Sequence, residues 1–260
     1  MEQLLRATAQ AEGRHFWFRG FRAFVTPLLR HATAGRSEAR LLDCGCGTGA
    51  NLALLERFGY ASGFDLSEVG LRIGRDSGRT RLARGSITAA PFLSGSFDVV
   101  TSFDVIYSLE EREERAALAE MYRLLKPGGY AIVNVAAMEA LRGDHSVLSH
   151  EIRRYSRTQL RDRLASAGFT IVRLTYTNVT LLLPMLVART LQRRRGLRSE
   201  TLAQQEIAVP VAPVNALLST MLLAESAWIR WFDAPAGSSL LCLARKPDPT
   251  QREHEDTEKA

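Results

Sequence analysis

The stretch Leu41-Leu42-Asp43-Cys44-Gly45-Cys46-Gly47-Thr48-Gly49 decides how this chain is read. Two apolar residues run into an acid, alternating glycines follow, and Ala50-Asn51-Leu52-Ala53-Leu54-Leu55 then takes up helical spacing, so the segment reads as strand, tight turn and helix. Glycine suits such a turn because it accepts backbone angles other residues avoid and lets a ligand lie directly on the main chain. The pattern is D-x-G-x-G-x-G, whereas a dinucleotide turn is G-x-G-x-x-G with a pyrophosphate on the helix N-terminus. A carboxylate at the strand end would repel a pyrophosphate and attract an ammonium.

A second apolar run, Gly63-Phe64-Asp65-Leu66-Ser67, also ends in an acid, suited to accept hydrogen bonds from both hydroxyls of a ribose. An amino acid at one carboxylate and a ribose at the other describe S-adenosylmethionine. Farther on come Phe97-Asp98-Val99-Val100 and Lys126-Pro127-Gly128-Gly129. On these motifs, in this order, the chain resembles a class I S-adenosylmethionine-dependent methyltransferase of the small-molecule, type 11-like kind, from about Leu41 to Phe169 and again in the last strand. The resemblance implies an α/β fold: a Rossmann-like, doubly wound, seven-stranded sheet with an antiparallel last strand.

With 260 residues, 46% of them hydrophobic, the chain can bury one sizeable α/β core and an added subdomain. The formal charge of +6 is scattered along the chain with no basic stripe interleaved with aromatics, so no nucleic-acid partner is expected. Met1 to Glu12 has no apolar signal-peptide core, and the expectation is a cytoplasmic protein. Cys44, Cys46 and Cys242 are an odd count in poor metal-ligand spacing and read as reduced, structural thiols; no metal site is expected.

Four segments are expected: an N-terminal helical lid at 1–35, a cofactor-binding core at 36–178 and 237–246, an apolar helical insertion at 179–236, and a disordered tail at 247–260. Within the core, strands are predicted at Arg40 to Cys44, Tyr60 to Phe64, Thr80 to Arg84, Phe97 to Phe103, Tyr130 to Val135, Phe169 to Thr177 and Ser239 to Arg245. Lys126-Pro127-Gly128-Gly129 is expected to turn from a helix over 110–125 into the fifth strand. The last two strands are normally joined by a hairpin, and the insertion replaces it. Its first apolar run, Val179 to Leu191, is too short to span a bilayer. Its second, opened by Pro213, predicts a helix with Val214, Leu217, Leu218, Met221, Leu222, Trp228, Ile229 and Phe232 on one face and Asn215, Ser219, Ser226 and Arg230 opposite. That face reads as the core of a helical cap, an acceptor pocket, a dimer contact or a peripheral membrane contact.

Asp43 and the turn residues Gly45, Cys46 and Gly47 are assigned the methionine end of the cofactor, and Asp65 the ribose. Ser86, Ile87 and Leu66 are assigned the adenine. The resemblance implies an acid where Ser86 stands, which puts adenine affinity in doubt. It also implies an aromatic and an arginine from the N-terminal helix, for which Trp17 and Arg22 are the candidates, against simple helix packing. Phe103 is expected as a wall of the cofactor pocket. At positions where relatives often carry an acid and a histidine, the chain has Tyr107 and Ser108. Histidine can take a proton near neutrality, so His145, His150 and Tyr155, which follow the fifth strand, are the catalytic candidates, with loop positioning as the competing reading.

The expected reaction is in-line methyl transfer to a small hydrophobic acceptor, at oxygen before carbon. The alternatives are a cofactor-binding module without turnover and, more remotely, a nicotinamide-dependent oxidoreductase.

Overall fold

Strand Arg40–Cys44 (β1) is apolar at consecutive positions because both of its faces are covered, as in the centre of a parallel sheet. The computed structural model describes residues 2–36, 38–196 and 208–249 and places β1 inside a seven-stranded sheet. Its other strands are Tyr60–Asp65 (β2), Leu82–Arg84 (β3), Phe97–Phe103 (β4), Leu125–Ala136 (β5), Thr170–Thr177 (β6) and Ser239–Arg245 (β7), in the spatial order β3-β2-β1-β4-β5-β7-β6. Neighbours from β3 to β5 pair in parallel, and β7 runs antiparallel to both β5 and β6.

Alternate side chains along these strands feed two cores. Leu42, Val100 and Val133 face one way, onto Glu111–Leu124 (α5) and Arg157–Ser166 (α7) through Leu118, Met121, Leu160 and Leu164. Leu41, Val99 and Ile132 face the other way, onto Phe16–Ala32 (α2) and Leu52–Leu55 (α3) through Val25, Leu29 and Leu55. The order of parallel strands reverses beside β1, and its turn together with the end of β4 opens the crevice where ligands bind in such sheets.

Glu2–Ala11 (α1) packs on Glu68–Asp76 (α4), whose N-terminus is capped by Ser67 through a 3.2 Å bond from the Gly70 amide. Two short elements, a 3-10 turn at Ile106–Ser108 and helix Asp144–Leu148 (α6), follow β4 and β5. Between β6 and β7 lie helices Leu182–Arg195 (α8) and Ala212–Ile229 (α9). No helix among the described residues is long and apolar enough to cross a membrane.

The structure departs from the sequence reading in several places. Residues 126–129 do not turn into the fifth strand: β5 begins at Leu125, opposite Phe97, and the register shifts so that Val99 next meets Tyr130. Lys126-Pro127-Gly128-Gly129 is thus a bulge, held by two Lys126 Nζ contacts to the Asp98 carboxylate at 2.9 and 3.0 Å. Helix α2 is more than a lid, since Phe24, Val25, Leu28 and Leu29 belong to the core.

Helix α9 is rotated part of the way from the face its hydrophobic pattern gives. Leu222 and Ile229 of that face are buried, but so are Glu225 and, from the opposite side, Ser219 and Ser226, while Val214, Leu217 and Trp228 are exposed. Polar contacts set this orientation. Glu225 accepts from the amides of Val179 and Thr180, both at 2.9 Å, and from Thr180 Oγ1 at 2.7 Å. Asn215 ties the helix to the start of α2, accepting from Phe16 N and donating to the Arg14 carbonyl, each at 2.9 Å. Gly20 lets Leu222 close on α2, where a Cβ would lie 2.5 Å from Leu222 Cδ1. The expected tail falls almost wholly outside the described residues.

Candidate active site

Three left-handed glycines, Gly45 at φ +80°, Gly47 at +56° and Gly49 at +75°, fold the turn after β1 back against the next strand. The amides of Gly45 and Cys46 both reach the Phe64 carbonyl, at 2.9 and 3.0 Å. A Cβ on Gly45 would sit 2.6 Å from Val105 Cγ2, so the close approach as well as the φ demands glycine. The turn forms one side of a cavity of about 960 Å³. That is at the upper end of what a small-molecule site offers, which is about 300 to 1,000 Å³.

Asp65 closes the end of β2. Its Oδ2 accepts from the Gly47 amide at 2.7 Å and its Oδ1 from the Ser67 amide at 2.8 Å. Two backbone donors hold the carboxylate still, and each oxygen keeps a further lone pair toward the cavity, the geometry needed for two adjacent ribose hydroxyls. Leu66, Ser86 and Ile87 line the wall beyond it. Ser86 Oγ is engaged by Thr88, accepting from its amide at 3.2 Å and lying 2.8 Å from its hydroxyl.

Asp43 is placed differently from expectation. It is 1% exposed and absent from the cavity wall, lying behind the glycine turn. Its Oδ1 accepts from Thr101 Oγ1 at 2.7 Å, and its Oδ2 has no partner among the described residues. Burial raises the carboxyl to about 7, opposed by the Thr101 hydrogen bond and reinforced by the nearby Asp65 charge. This orphaned, buried acid beneath an open main-chain cradle fits a cationic group lying on the turn, acting through its field rather than by contact. The residues present therefore fit S-adenosylmethionine.

On the far side, α1 and α2 complete the enclosure. Trp17 and Arg22 both line the cavity, as do Gly45, Cys46, Gly47 and Phe103. Phe21 packs edge-on against Phe103 at 4.9 Å. Arg22 Nη2 donates to the Glu12 carbonyl at 3.0 Å, and burial lowers its pKa. Glu12 ties the lid to the turn, accepting from Thr48 Oγ1 at 3.0 Å and from Arg79 Nη2 at 3.1 Å. Burial pushes the Cys46 thiol well above its ordinary range and keeps it inert.

Two of the three catalytic candidates, Tyr155 and His150, lie off the cavity wall. Tyr155 is 2% exposed and lies off the cavity wall, donating to Glu114 Oε1 at 2.8 Å, and burial together with that carboxylate raises its pKa; it is a core strut. His150 is exposed, sits in a left-handed turn at φ +51° and also lies off the wall. His145 is in α6, and its side chain lies outside the described residues.

The cavity is lined as well by Asp104, Tyr107, Glu151, Arg154 and Ser238, with Leu181, Pro184, Met185 and Ala188 of the insertion supplying apolar surface. Asp104 stands directly after β4, at the strand end where ligands gather in such sheets, and that position is its signal in the sequence. Glu12 and His15 were inside the aromatic N-terminal segment without a role; His15 lines the cavity, and burial lowers its pKa, holding the ring neutral.

Residues 42–133 match a family model described as a methyltransferase domain. Over 104 residues the chain is 39% identical to the mouse (Mus musculus) protein named tRNA (carboxymethyluridine(34)-5-O)-methyltransferase ALKBH8, covering 40% of this chain and 15% of that protein. Over 108 residues it is 35% identical to a demethylmenaquinone methyltransferase of Clavibacter sepedonicus, covering 39% of this chain and 43% of that one. The chain thus spans less than half the length of either curated relative. Among solved structures, phosphoethanolamine N-methyltransferase 2 of Haemonchus contortus, in complex with S-adenosyl-L-methionine, superposes with a TM-score of 0.58 at 19% identity, over 95% of this chain and 58% of that one.

Proposed function

We propose, on the premise that this chain carries a class I S-adenosylmethionine-dependent methyltransferase domain, that it moves a methyl group onto a hydroxyl of a small amphipathic acceptor. The observation that carries the reading is the mixed lining of one cavity: the glycine cradle and Asp65, together with the polar side chains of Asp104, Tyr107 and Ser238 and apolar residues of the insertion. When bound, S-adenosylmethionine supplies a methyl group activated by a positively charged sulfur. The chain's own task is then to hold, align and dehydrate. Gly45, Cys46 and Gly47 present bare main chain to the amino-acid end, with Arg22 facing it from the lid, and Asp65 fixes the sugar. Trp17, Phe21 and Phe103 exclude water from the centre.

Two features support a small, partly apolar acceptor. The insertion places Leu181, Pro184, Met185 and Ala188 on the wall, and the relative from Clavibacter sepedonicus is named for an apolar quinone. Several relatives are named tRNA methyltransferases, matched over 15 to 28% of their length, and their acceptor is the competing one. The outward apolar face of the insertion supports a further contact with a lipid surface. Leu183, Val187 and Leu191 recur at one-turn spacing on α8, and Trp228, Trp231 and Phe232 flank Arg230 at the end of α9, all of them exposed.

The test is incubation of the full chain with S-adenosylmethionine and, separately, alkylphenols, alkylhydroquinones and unmodified tRNA. Mass spectrometry should find S-adenosylhomocysteine together with a methyl ether from the first two. Methylated tRNA, or tight cofactor binding with no product from any of them, would overturn the reading.

A further inference from the structure

We propose that Asp104, anchored by Asn134 on the cavity wall, is the catalytic residue that binds the acceptor hydroxyl and takes its proton. The proposal rests on the methyl-transfer reading.

Position comes first. Asp104 follows the last residue of β4, and the antiparallel β7 begins at Ser239, so the two meet on the same edge of the sheet as the end of β5. Asp104 and Ser238 accordingly both line the cavity. The Asp104 backbone is left-handed, at φ +60°, a region a residue with a side chain enters only when its surroundings hold it there. Asn134 does so twice. Its carbonyl accepts from the Asp104 amide at 3.0 Å, and its Nδ2 donates to Asp104 Oδ1 at 2.9 Å. Asn134 itself is 3% exposed in β5, so the anchor is rigid.

That leaves Oδ2 for the ligand. Asp104 is exposed on the cavity wall, and among the described residues no donor reaches its second oxygen. Ser238 Oγ is a second opening for a ligand: it is buried, 3% exposed, and without a hydrogen-bond partner among the described residues. A hydroxyl donating to Asp104 and accepting from Ser238 would satisfy both.

The surrounding charges leave Asp104 as the group able to act near neutrality. Glu151 is neutralised by Arg154, whose Nε and Nη2 reach its two oxygens at 2.5 and 3.1 Å. Tyr107 is held far above its usual range by burial and by the Asp104 and Glu151 charges, so its phenol stays protonated. Glu113 of α5 and Arg189 of α8 complete the charged wall. Burial raises Asp104 to about 7, with Glu151 pushing the same way and Asn134 and Arg154 opposing. Its conjugate acid is therefore matched to a base working near pH 7.

The step balances within the site. The acceptor O–H bond breaks and its proton passes to Asp104 Oδ2; an oxygen lone pair forms the O–CH3 bond; the S–CH3 bond breaks with its electron pair left on sulfur. The products are the methyl ether, S-adenosylhomocysteine and a protonated Asp104, which returns the proton to water.

The experiment avoids turnover by saturating the full chain with S-adenosylhomocysteine and titrating 4-butylphenol and its methyl ether, 4-butylanisole, by calorimetry from pH 5.5 to 8.5. A phenol donating to a carboxylate binds better once that carboxylate ionises. Its affinity should rise at least about tenfold with a midpoint near 7, the size of one charge-assisted hydrogen bond. The anisole should show no rise, and Asp104→Asn should abolish the rise for the phenol. Asn134→Ala removes a bond that favours the ionised form, so it should move the midpoint upward, a shift that serves as the readout should Asp104→Asn fold poorly. A flat phenol profile in the parent chain, no phenol binding, or an unchanged midpoint in Asn134→Ala would overturn the proposal. Failure of S-adenosylhomocysteine itself to bind would refute the methyl-transfer reading as well.

Discussion

Replacing Asp43 with Asn should make the protein more stable at alkaline pH, and by an amount that grows with pH. Asp43 is fully enclosed, and one of its oxygens has no hydrogen-bond partner among the described residues, so its negative charge is costly. Its carboxyl is raised from 3.8 to about 7, a difference of about 3 units, and each unit is worth about 1.4 kcal/mol. The sign follows from proton counts. Between pH 4 and 7 the folded chain keeps a proton on Asp43 that the unfolded chain has lost, so stability falls as pH rises through that window. The total fall is about 4 kcal/mol, complete just above pH 7. Asn cannot ionise, and its Oδ1 still accepts from Thr101; its buried amide group goes unpaired, at a cost of about 1 to 3 kcal/mol at all pH values. The variant should therefore be the less stable protein at pH 4.5 and the more stable by about 1 to 3 kcal/mol at pH 8. Guanidinium unfolding of both proteins at half-unit steps of pH measures the difference directly. Asp104 titrates in the same direction, but it is present in both and cancels. A stability difference that does not change between pH 4.5 and 8 would refute the reasoning.

Other consequences are equally direct. Gly45→Ala forces a methyl group into left-handed backbone and against Val105; it should cost about 1 to 3 kcal/mol by chemical unfolding and weaken S-adenosylhomocysteine binding measured by calorimetry. Tyr155→Phe strips one hydrogen bond from the buried Glu114, so it should lose about 1 to 3 kcal/mol of stability while leaving nucleoside affinity unchanged, the pattern of a strut rather than a catalyst. Trp231 is 81% exposed, and Trp231→Ala should reduce co-sedimentation with anionic phospholipid vesicles without altering the unfolding midpoint; equal sedimentation of both proteins would count against lipid contact through the insertion.

The strands were legible wherever burial on both faces left an uninterrupted apolar run. The predicted limits of β1, β4 and β7 coincide with those of the structure because Leu41-Leu42, Val99-Val100 and Leu240-Leu241 each supply both cores in turn. Residues 126–129 misled because Pro and Gly signal a turn locally, whereas pairing of Leu125 with Phe97 and the Lys126–Asp98 contact make them a bulge. Helix α9 misled because hydrophobic periodicity cannot see Glu225 and Asn215 finding buried backbone partners in segments distant in sequence. In the site, the glycine turn and Asp65 were legible since their chemistry is local. The proposed acceptor side was not: it draws on the end of β4, the segment after α6, α8 and the start of β7, and residue type alone favoured histidines over Asp104.

The central claim is that Asp65 and the glycine cradle grip S-adenosylmethionine. It is tested most directly by isothermal calorimetry of S-adenosylhomocysteine with the full chain and with Asp65→Ala. The account predicts saturable one-to-one binding to the parent chain and at least about a hundredfold loss in the variant, which forfeits both ribose contacts and the anchoring of Gly47 and Ser67. No heat from the parent chain, or equal affinity in the two proteins, would contradict it.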